Sequence, residues 1–398
     1  MKVVYIGYAI DRESCDKQLG ASVAGNNMQL GILKELKNKM KDCLDIITVY
    51  PTASYPKEQK IYFKTYINKI SKNIEGIFIG FINIPFIKDL TQCISVFKNA
   101  RKIIRKEKEC KIITFNARPS IAIPSIILKK IYKCELICLL ADPPVDDIKK
   151  RYGLNKIIMN IFYKSIEKSI LKYDKIIALN KKAIEIYAPD KPHIIIDGGI
   201  EIDERNKLEM KFKSNYDHNK KVIVFSGALT EYNGIEDMID IMKYIEDENI
   251  ELHIYGNGNL KSYTEEKIES MKNVIYKGVV SNNEMKKLQS NADLLINTRK
   301  VDDLVSQVTF PSKIIEYMLS GTVVLSTRLN GLTNEYLQHI YTTVSSDPKV
   351  IAEEIKSILY TSQDELDKKS IKAREFIINN RSWKVQTQKI YKFIFEKY

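Results

Sequence analysis

Residues 310–321, with the sequence FPSKIIEYMLSG, decide the fold because they place a turn, a short helix and a strand in direct succession. Pro311 has no N–H to donate and biases the residue before it away from helical geometry, so a preceding element ends here. Ser312 occupies an N-cap position, and the pattern predicts a helix over 313–319 that the following glycine ends. An apolar strand predicted for 322–326 follows at once.

The start of this predicted helix can also bind an anion. The first turn of a helix presents N–H groups without intrahelical partners and carries partial positive charge. With Lys313 beside it, this turn would form a binding site for a diphosphate. Glu316 lies one turn further along and can accept hydrogen bonds from sugar hydroxyls. The alternative is structural, namely a capped and half-buried helix whose lysine is solvated.

The composition indicates a globular protein of two or three domains. Of its 398 residues, 44% are apolar, which is enough for large cores. The net charge of +13 suggests nucleic acid or a membrane surface as a partner. However, only 10 of the 63 basic residues are Arg, the side chain that nucleic-acid recognition favours. An AT-rich coding sequence would by itself produce the observed excess of Lys, Ile, Asn and Tyr. We therefore expect no nucleic-acid partner.

The cysteines and histidines do not form a metal-binding pattern. All six cysteines lie in the first 140 residues without a C-x-x-C pair, and the chain has four histidines. We therefore expect neither a metal site nor another cofactor. Several cysteines lie in apolar runs such as 134–138, which suits buried free thiols in a reducing compartment. No signal peptide or spanning apolar run is apparent, so we expect a cytoplasmic protein with at most peripheral contact to the inner face of the cell membrane.

Short apolar runs alternate with longer helical patterns along the chain, which predicts parallel α/β sheets. Most runs are apolar on both sides of the pleat, as in strands that helices cover on both faces. Strands in the first half are predicted at 3–7, 45–50, 76–81, 111–116, 135–140, 175–179 and 193–196. Helices between them are predicted at 23–42, 57–74, 88–108, 119–132, 146–172 and 181–187.

A polar stretch at 201–220 lacks periodicity and is predicted to be a linker between two α/β domains, 1–200 and 221–380. In the second domain, strands are predicted at 222–226, 251–255, 273–276, 292–297, 322–326 and 341–344. Helices are predicted at 347–360, 364–379 and 384–396, and residues 381–398 form a closing segment. The predicted fold class is therefore α/β, with a Rossmann-like parallel sheet in each domain.

Ligands of open parallel sheets bind outside the carboxyl ends of the strands, so the residues directly after each strand are the site candidates. In the second domain these combine glycines, basic side chains and a helix start, which favours a nucleotide-diphosphate site. Each glycine taken singly is more simply explained as an ordinary turn. The donor-side candidates are Gly227, Gly256, Asn257, Gly258, Lys277, Val279, Arg299, Pro311, Ser312, Lys313 and Glu316.

The strand ends of the first domain carry small and polar residues that suit a sugar acceptor. The loop at 20–25 matches neither a G-x-G-x-x-G fingerprint nor a Walker loop, so a mononucleotide site is not expected there. Asp142 precedes a rigid Pro-Pro and is either a turn residue or a carboxylate that contacts an acceptor hydroxyl. The acceptor-side candidates are Gly20, Ser22, Gly25, Asn26, Asn116 and Asp142.

The order of these signals resembles the family 4 retaining glycosyltransferases, which have the GT-B fold. Within that family it is similar to the bacterial polysaccharide-assembly members that carry a Phe-Pro-Ser-Lys-x-x-Glu-Tyr helix start. The resemblance covers nearly the whole chain, and the ordered set is specific although each motif alone is weak. The matching segments are 142–144, 173–177, 197–200, 226–229, 233–235, 254–258, 277–280, 292–299, 310–321 and 382–383.

The resemblance implies that the second domain binds a nucleotide-sugar donor and the first an acceptor. Transfer would take place in a cleft across which the two domains face each other, with retention at the anomeric carbon. It also implies that Glu316 binds the donor ribose, while Ser312 and Lys313 hold the diphosphate with support from Arg299. A fixed lysine and a helix dipole stabilise a departing diphosphate without a metal. The catalytic candidates are Lys313, Glu316 and Asp142, in a hexosyltransferase-type enzyme of capsular, exopolysaccharide or related surface-glycan synthesis.

The sequence departs from the family pattern in several places. Val308 stands where the first Glu of the family's Glu-x7-Glu motif would fall. Ala228 and Asn233 replace an Arg and a Lys of the usual diphosphate site, which shifts that role to Lys313 and Arg299. The family's acceptor-side His is also absent. These losses fit the narrower subfamily, but they also leave room for a catalytically inactive copy.

Two other readings share this architecture. A nucleotide-sugar 2-epimerase would need general acid and base groups, which are sparse here. A non-enzymatic protein would bind a nucleotide sugar as the partner of another transferase. In addition, predicted amphipathic helices at 61–70 and 157–172 carry Lys opposite apolar stripes. Such helices either dock on anionic lipid near a lipid-linked acceptor or pack on their sheet with the lysines in water.

Overall fold

The computed structural model describes residues 1–145, 153–202 and 220–396. The chain divides into two compact units, one of Met1–Glu201 with Trp383–Tyr398 and the other of Ile202–Ser382. Each unit is built around its own parallel sheet. The predicted linker lies mostly outside the described residues, as does the start of the helix predicted at 146–172.

The elements of the first unit follow the predicted alternation. Its strands are β1 (Lys2–Gly7), β2 (Leu44–Thr48), β3 (Tyr62–Phe63), β4 (Tyr66–Ser71), β5 (Ile74–Phe78), β6 (Phe81–Ile82), β7 (Cys110–Phe115), β8 (Glu135–Leu140), β9 (Lys175–Ala178) and β10 (His193–Ile195). Its helices are α1 (Arg12–Lys17), α2 (Val23–Met40), α3 (Ile87–Ile104), α4 (Pro119–Tyr132), α5 (Gly153–Ile170) and α6 (Lys181–Tyr187), with a 3-10 turn at Lys41–Cys43.

The main sheet of the first unit has the strand order β10-β9-β8-β7-β1-β2-β5-β4. All neighbours pair in parallel except β4, which runs antiparallel to β5 at the edge. The central strands β1, β7 and β8 are almost entirely buried, as expected for apolar strands covered on both faces. The strand order reverses between β1 and β7, so the loops after these two strands meet at one edge of the sheet.

The helix predicted at 57–74 is wrong, because β3 and β4 occupy this region. Its aromatic and β-branched residues favour pleated pairs, and two cross-strand aromatic stacks stabilise them. Phe63 stacks on Phe81 of β6 at 4.6 Å, and Tyr66 stacks on Phe78 of β5 at 4.9 Å. The predicted amphipathic helix at 61–70 therefore does not exist.

The free-thiol prediction is also wrong for one pair of cysteines. Cys110 and Cys134 form a disulfide, whereas Cys15, Cys43, Cys93 and Cys138 are free. The pairing follows from the sheet register, because Lys111 of β7 lies opposite Glu135 of β8 and each cysteine directly precedes one of these residues.

The second unit contains the remaining elements except the last helix. Its strands are β11 (Lys221–Ser226), β12 (Ile250–Tyr255), β13 (Val274–Gly278), β14 (Leu294–Asn297), β15 (Val324–Thr327) and β16 (Tyr341–Thr343). Its helices are α7 (Ile235–Met242), α8 (Lys261–Ile268), α9 (Asn282–Asn291), α10 (Leu304–Val308), α11 (Lys313–Ser320), α12 (Asn334–Leu337), α13 (Pro348–Leu359) and α14 (Gln363–Asn380), with a 3-10 turn at Glu231–Asn233.

The sheet of the second unit has the order β13-β12-β11-β14-β15-β16, with every pair parallel. This is the doubly wound Rossmann arrangement, in which the strand order reverses between the first and fourth strands of the unit. Here the reversal falls between β11 and β14. It marks the place where such sheets bind their ligands.

The last helix, α15 (Trp383–Phe395), belongs to the first unit. Its Trp383 is buried in the core of that unit, where a Cβ on Gly31 or on Gly199 would lie 2.2 or 2.7 Å from the indole. The backbone N–H of Trp383 donates to the Ile200 carbonyl at 2.9 Å. Two glycines thus make room for the one tryptophan of the chain.

The described residues contain neither a membrane-spanning helix nor a cluster of metal-ligating side chains. No helix in residues 1–145, 153–202 or 220–396 is long and apolar enough to cross a membrane. Within the same ranges, no cluster of three or more His, Cys, Asp or Glu side chains is arranged to hold a metal ion.

Candidate functional site

The corner formed by residues 310–313 has the predicted backbone structure. Helix α11 begins at Lys313 and ends at Gly321, which adopts a left-handed conformation with φ of +83°. Ser312 is the N-cap residue, but its side chain makes no capping hydrogen bond and is exposed. The hydroxyl of Ser312 is therefore not used to cap α11.

Several N–H groups at the start of α11 are already paired. Those of Ser312, Ile314 and Ile315 donate to the carbonyls of Phe310, Pro311 and Ser312 at 3.0, 2.9 and 3.2 Å. The N–H groups of Phe310 and Lys313 have no acceptor among the described residues. The backbone of this corner thus has fewer free N–H groups for a ligand than an open helix N-terminus would have. The charge of Lys313 becomes correspondingly more important.

Lys313 and Glu316 form an ion pair one turn apart on α11. The Lys313 Nζ lies 2.9 Å from Glu316 Oε2, and both side chains are partly exposed. Burial by itself would lower the pKa of the Lys313 ammonium, but Glu316 and the neighbouring Tyr317 outweigh it and raise that pKa. Lys313 is therefore a stable cation, and a diphosphate would compete with Glu316 for it.

Arg299 provides a second cation at the carboxyl edge of the sheet. It follows β14, and its Nε donates to Asn233 Oδ1 at 3.1 Å while Nη1 donates to Thr309 Oγ1 at 3.3 Å. The guanidinium carbon lies 5.3 Å from the centre of the Tyr232 ring. Asn233 is fixed in turn by donating to the Ala228 carbonyl at 2.7 Å. The residue that departs from the family pattern at 233 thus orients the arginine.

Within residues 1–145, 153–202 and 220–396, the charge of Arg299 has no ion-pair partner. Burial lowers the pKa of its guanidinium, with Tyr232 and Asp303 acting in the opposite direction. No carboxylate lies within ion-pair distance of it in the part of the chain that the structure describes. A partly buried guanidinium without a counter-ion is costly, so the site favours an anionic ligand.

The two cations lie on elements that follow β14 at the switch point. The loops after β11 and β14 border the crevice where strand order reverses. Tyr317 of α11 accepts from the Ser226 N–H at 2.9 Å and donates to the Ser226 carbonyl at 3.2 Å, and Ser226 is the last residue of β11. These bonds fix the helix that carries Lys313 to the strand end beside Arg299. The arrangement can bind a diphosphate.

The glycines after β11 and β12 are needed by the protein itself. A Cβ on Gly256, whose φ is +137°, would lie 1.8 Å from the Gly227 carbonyl oxygen. A Cβ on Gly258 would lie 2.2 Å from the carbonyl oxygen of Leu229. Asn257 accepts from the Leu229 N–H at 3.0 Å through its own carbonyl. At least part of the role of these glycines is therefore to let the loops after β11 and β12 approach each other closely.

The remaining donor-side candidates differ in exposure. Lys277 and Val279 are exposed at the end of the edge strand β13, and Pro311 is buried beneath α11. Val308 is 1% exposed in α10, so it packs in the core at the position where the family pattern has a carboxylate. Lys277 lies two strands away from β11 in the sheet, whereas Arg299 follows the strand next to it.

In the first unit the structure brings Asn116 and Asp142 together. Asn116 Nδ2 donates to Asp142 Oδ2 at 2.8 Å, and Asn116 Oδ1 accepts from the N–H groups of Ala141 and Asp142 at 2.9 and 2.8 Å. Asn116 is buried with φ of +63°, while Asp142 is exposed. The Asp142 carboxylate is therefore held in place at the carboxyl edge of β8 and open to solvent.

The other acceptor-side candidates lie at the start of α2 and have structural partners. Ser22 caps α2 by accepting from the Gly25 N–H at 3.1 Å. Asn26 is buried, and its amide bonds both the N–H and the carbonyl of Ile10 at 3.0 Å. Gly20 has φ of +92°, and a Cβ there would lie 2.9 Å from the backbone nitrogen of Ala53. These contacts shape the loop after β1 but leave the Asn26 amide committed to the protein.

Sequence reasoning missed three residues that hold this site together. Tyr317 anchors α11, Tyr232 stacks on Arg299, and Gln289 donates to Ser226 Oγ at 3.0 Å. The other buried residues of the helix that carries Tyr317 are apolar, and Gln289 is the one buried residue of α9, so their polar ends were the available signal. The residues that these three side chains contact depend on the strand order of the sheet.

One known family matches most of the second unit. Residues 206–382 match the family described as "Glycosyl transferases group 1". No protein with a curated description matches the chain in sequence.

Comparison with solved structures identifies the fold. The chain is similar to a sucrose-phosphate synthase from Thermosynechococcus elongatus, with 11% identity, a TM-score of 0.70 and coverage of 99% of this chain and 98% of that one. It is also similar to HepE of Anabaena in complex with UDP, with 13% identity, a TM-score of 0.63 and 99% of each chain covered. A UDP-forming α,α-trehalose-phosphate synthase from Burkholderia vietnamiensis matches with 9% identity, a TM-score of 0.68 and coverage of 98% and 99%. The fold is GT-B, and the predicted class of two α/β domains with parallel sheets is confirmed.

Proposed function

We propose that the protein is a glycosyltransferase that moves a sugar from a nucleotide-diphosphate sugar to a saccharide or lipid-linked saccharide acceptor. The observation that carries the proposal is the partly buried guanidinium of Arg299, which lacks a carboxylate partner among the described residues and lies where the strand order reverses. The group 1 glycosyltransferase domain, and a structural neighbour solved with UDP, support a nucleotide sugar as the donor.

The proposed chemistry depends on charge at the leaving group. Negative charge develops on the diphosphate as the glycosidic bond breaks, and fixed cations stabilise it most in the transition state. Arg299 is pre-oriented by Asn233 and Thr309, and Lys313 adds a second charge once the diphosphate displaces Glu316. Glu316 then becomes available for the ribose hydroxyls. We propose that transfer is metal-independent, involves a hexose and retains the anomeric configuration.

The acceptor is proposed to bind to the first unit, where the exposed Asp142 carboxylate is held by Asn116. A growing surface glycan, such as a capsular or exopolysaccharide precursor, would present sugar hydroxyls to this carboxylate. The protein would act in the cytoplasm, with peripheral contact to the inner face of the membrane where such acceptors are lipid-linked.

One observation favours a second candidate, a nucleotide-sugar-binding partner without activity of its own. Val308 is buried in the core at the position where the family pattern places a carboxylate on the donor sugar. A protein that keeps the diphosphate site and loses this carboxylate would still bind UDP.

The test combines binding and turnover. We expect calorimetry to show UDP binding, and UDP release from a UDP-sugar panel when saccharide acceptors are added. Lys313→Ala should lower turnover about tenfold or more, since it removes a charge-assisted contact to the leaving group. Lys286→Ala, at an exposed lysine of α9, is the matched control and should leave turnover unchanged. UDP binding without turnover on any acceptor would favour the inactive partner, and no binding of any nucleotide would refute both.

A further inference from the structure

Three neighbouring helices of the first unit carry large apolar side chains that face water. Leu90 and Ile94 on α3, Ile123 and Ile127 on α4, and Ile157 and Ile161 on α5 are between 41% and 65% exposed. We call these six residues the three-helix face. Each pair is spaced by four residues, so the two side chains of a pair lie on the same side of their helix. Isolated exposed apolar residues are ordinary, but a contiguous set over three helices marks an interaction surface.

The three helices lie side by side on one face of the main sheet. Helix α4 packs against both α3 and α5, while α2 packs against α15. The strand order explains this, because the connections from β5 to β7, β7 to β8 and β8 to β9 all step in the same direction. Right-handed crossovers then place α3, α4 and α5 on a common face, with α2 on the opposite one.

The charge of these helices is strongly positive. Together α3, α4 and α5 contain nine Lys or Arg side chains and two acidic ones, Asp89 and Glu167. The apolar positions lie in the first two-thirds of each helix, whereas most of the basic residues are in the last turns. Apolar side chains beside long basic ones form the pattern with which helices bind the interface of an anionic membrane.

This composition is unlike a protein–protein interface. Such interfaces are enriched in Tyr, Trp and Arg and depleted in Lys at their centre. All six residues of the three-helix face are Ile or Leu, and eight of the nine basic side chains on the helices are Lys. We propose that the three-helix face docks the protein on an anionic lipid bilayer.

The position of this face relative to the sheet adds a functional consequence, which rests on the proposed function. Helices of parallel α/β units run opposite to their strands, so the amino-terminal ends of α3, α4 and α5 lie at the carboxyl edge of the sheet. Asn116 and Asp142 are at that edge. A protein bound by its three-helix face therefore presents the acceptor-side carboxylate near the membrane surface, where a lipid-linked saccharide would meet it.

The experiment uses vesicle co-sedimentation of the full-length protein. Vesicles of phosphatidylcholine containing about 30% phosphatidylglycerol should bind the protein, and pure phosphatidylcholine should bind it much less. The double variant Ile127→Glu/Ile161→Glu should bind the anionic vesicles at least about tenfold more weakly, because it places two charges in the apolar contact. Val350→Glu on α13, which is 45% exposed, makes the same change elsewhere and should bind like the wild type.

A second variant tests the electrostatic part. Replacing Lys98, Lys130 and Lys164 with Gln should weaken binding by roughly fivefold per lysine and reduce its salt dependence. The matched control replaces Lys272, Lys286 and Lys287, which are exposed in the second unit, and should leave vesicle binding within about twofold of the wild type.

Two outcomes would overturn the proposal. One is equal binding of the Ile127→Glu/Ile161→Glu variant and the wild type to anionic vesicles. The other is a wild-type dimer in sedimentation velocity that the same variant converts to monomer without any vesicle binding, since a second copy would then cover the face. UDP affinity measured on each variant should match the wild type, because the substituted residues belong to the first unit and Arg299 belongs to the second. Loss of vesicle binding and loss of donor binding are therefore separable.

Discussion

Replacing Arg299 with Met should separate ligand binding from folding. The change removes a buried charge together with its hydrogen bonds to Asn233 and Thr309. Each neutral partner left unpaired costs about 0.5–1.5 kcal/mol, whereas relief of the desolvated guanidinium acts in the opposite direction. We therefore expect the free energy of unfolding to change by less than about 2 kcal/mol. A hydrogen bond to a charged group contributes about 1.5–3 kcal/mol, so UDP affinity should fall roughly 10- to 150-fold.

The assay is calorimetric titration with UDP beside urea unfolding of the same samples. Arg374→Met is the matched control, since burial also lowers the pKa of the Arg374 guanidinium, which donates to the Leu319 carbonyl near the end of α11. This variant should lose stability and keep its UDP affinity. If Arg299→Met binds UDP within about twofold of the wild type, Arg299 does not contact the diphosphate, because a contact of 1.5 kcal/mol alone corresponds to more than tenfold.

Three further predictions concern stability. Gly256→Ala should destabilise the fold by about 3 kcal/mol or more in a urea titration, because its Cβ would overlap the neighbouring backbone. Gly278 has φ of +73° and open space around it, so Gly278→Ala should cost about 1 kcal/mol in the same titration. Tyr317→Phe should lower the unfolding free energy by about 1–3 kcal/mol, since the buried Ser226 N–H loses its acceptor, and an unchanged urea midpoint would contradict this. The hydrogen bond from Lys34 holds the pKa of Glu201 below its usual value, and Arg12 adds to this effect. The Glu201 carboxylate therefore stabilises the fold above about pH 4.3 and loses that effect as the pH falls. Glu201→Gln should therefore cost less than about 1 kcal/mol at neutral pH, because the pair is partly exposed, and the deficit should vanish in acid unfolding curves near pH 3.

The parallel sheets could be predicted because their strands are apolar on both faces and separated by helical patterns. The strand at 135–140 and the helix at 181–187 were predicted with the observed bounds. The prediction for residues 57–74 failed because their aromatic and aliphatic side chains fit both the helical and the strand periodicity. Only pairing with the partner strands β5 and β6 decides between the two. Local sequence carries no information about which strands will pair.

The candidate site was predictable where its residues are close in sequence. The ion pair of Lys313 and Glu316 follows from helical spacing, and the helix start from the Pro-Ser-Lys turn. The contact between Arg299 and Asn233 joins residues 66 positions apart and exists because β14 pairs with β11. The Cys110–Cys134 disulfide likewise depends on the pairing of β7 with β8. Contacts of this kind require the strand order, which the sequence pattern alone does not specify.

A crystal structure of the protein with UDP bound would test the central claim most directly. We predict diphosphate oxygens within roughly 2.7–3.2 Å of an Arg299 guanidinium nitrogen and of Lys313 Nζ, with the ribose hydroxyls on Glu316. Lys313 would then have exchanged its present partner for the ligand. A diphosphate bound at the sheet of the first unit, or one that touches neither cation, would contradict the account.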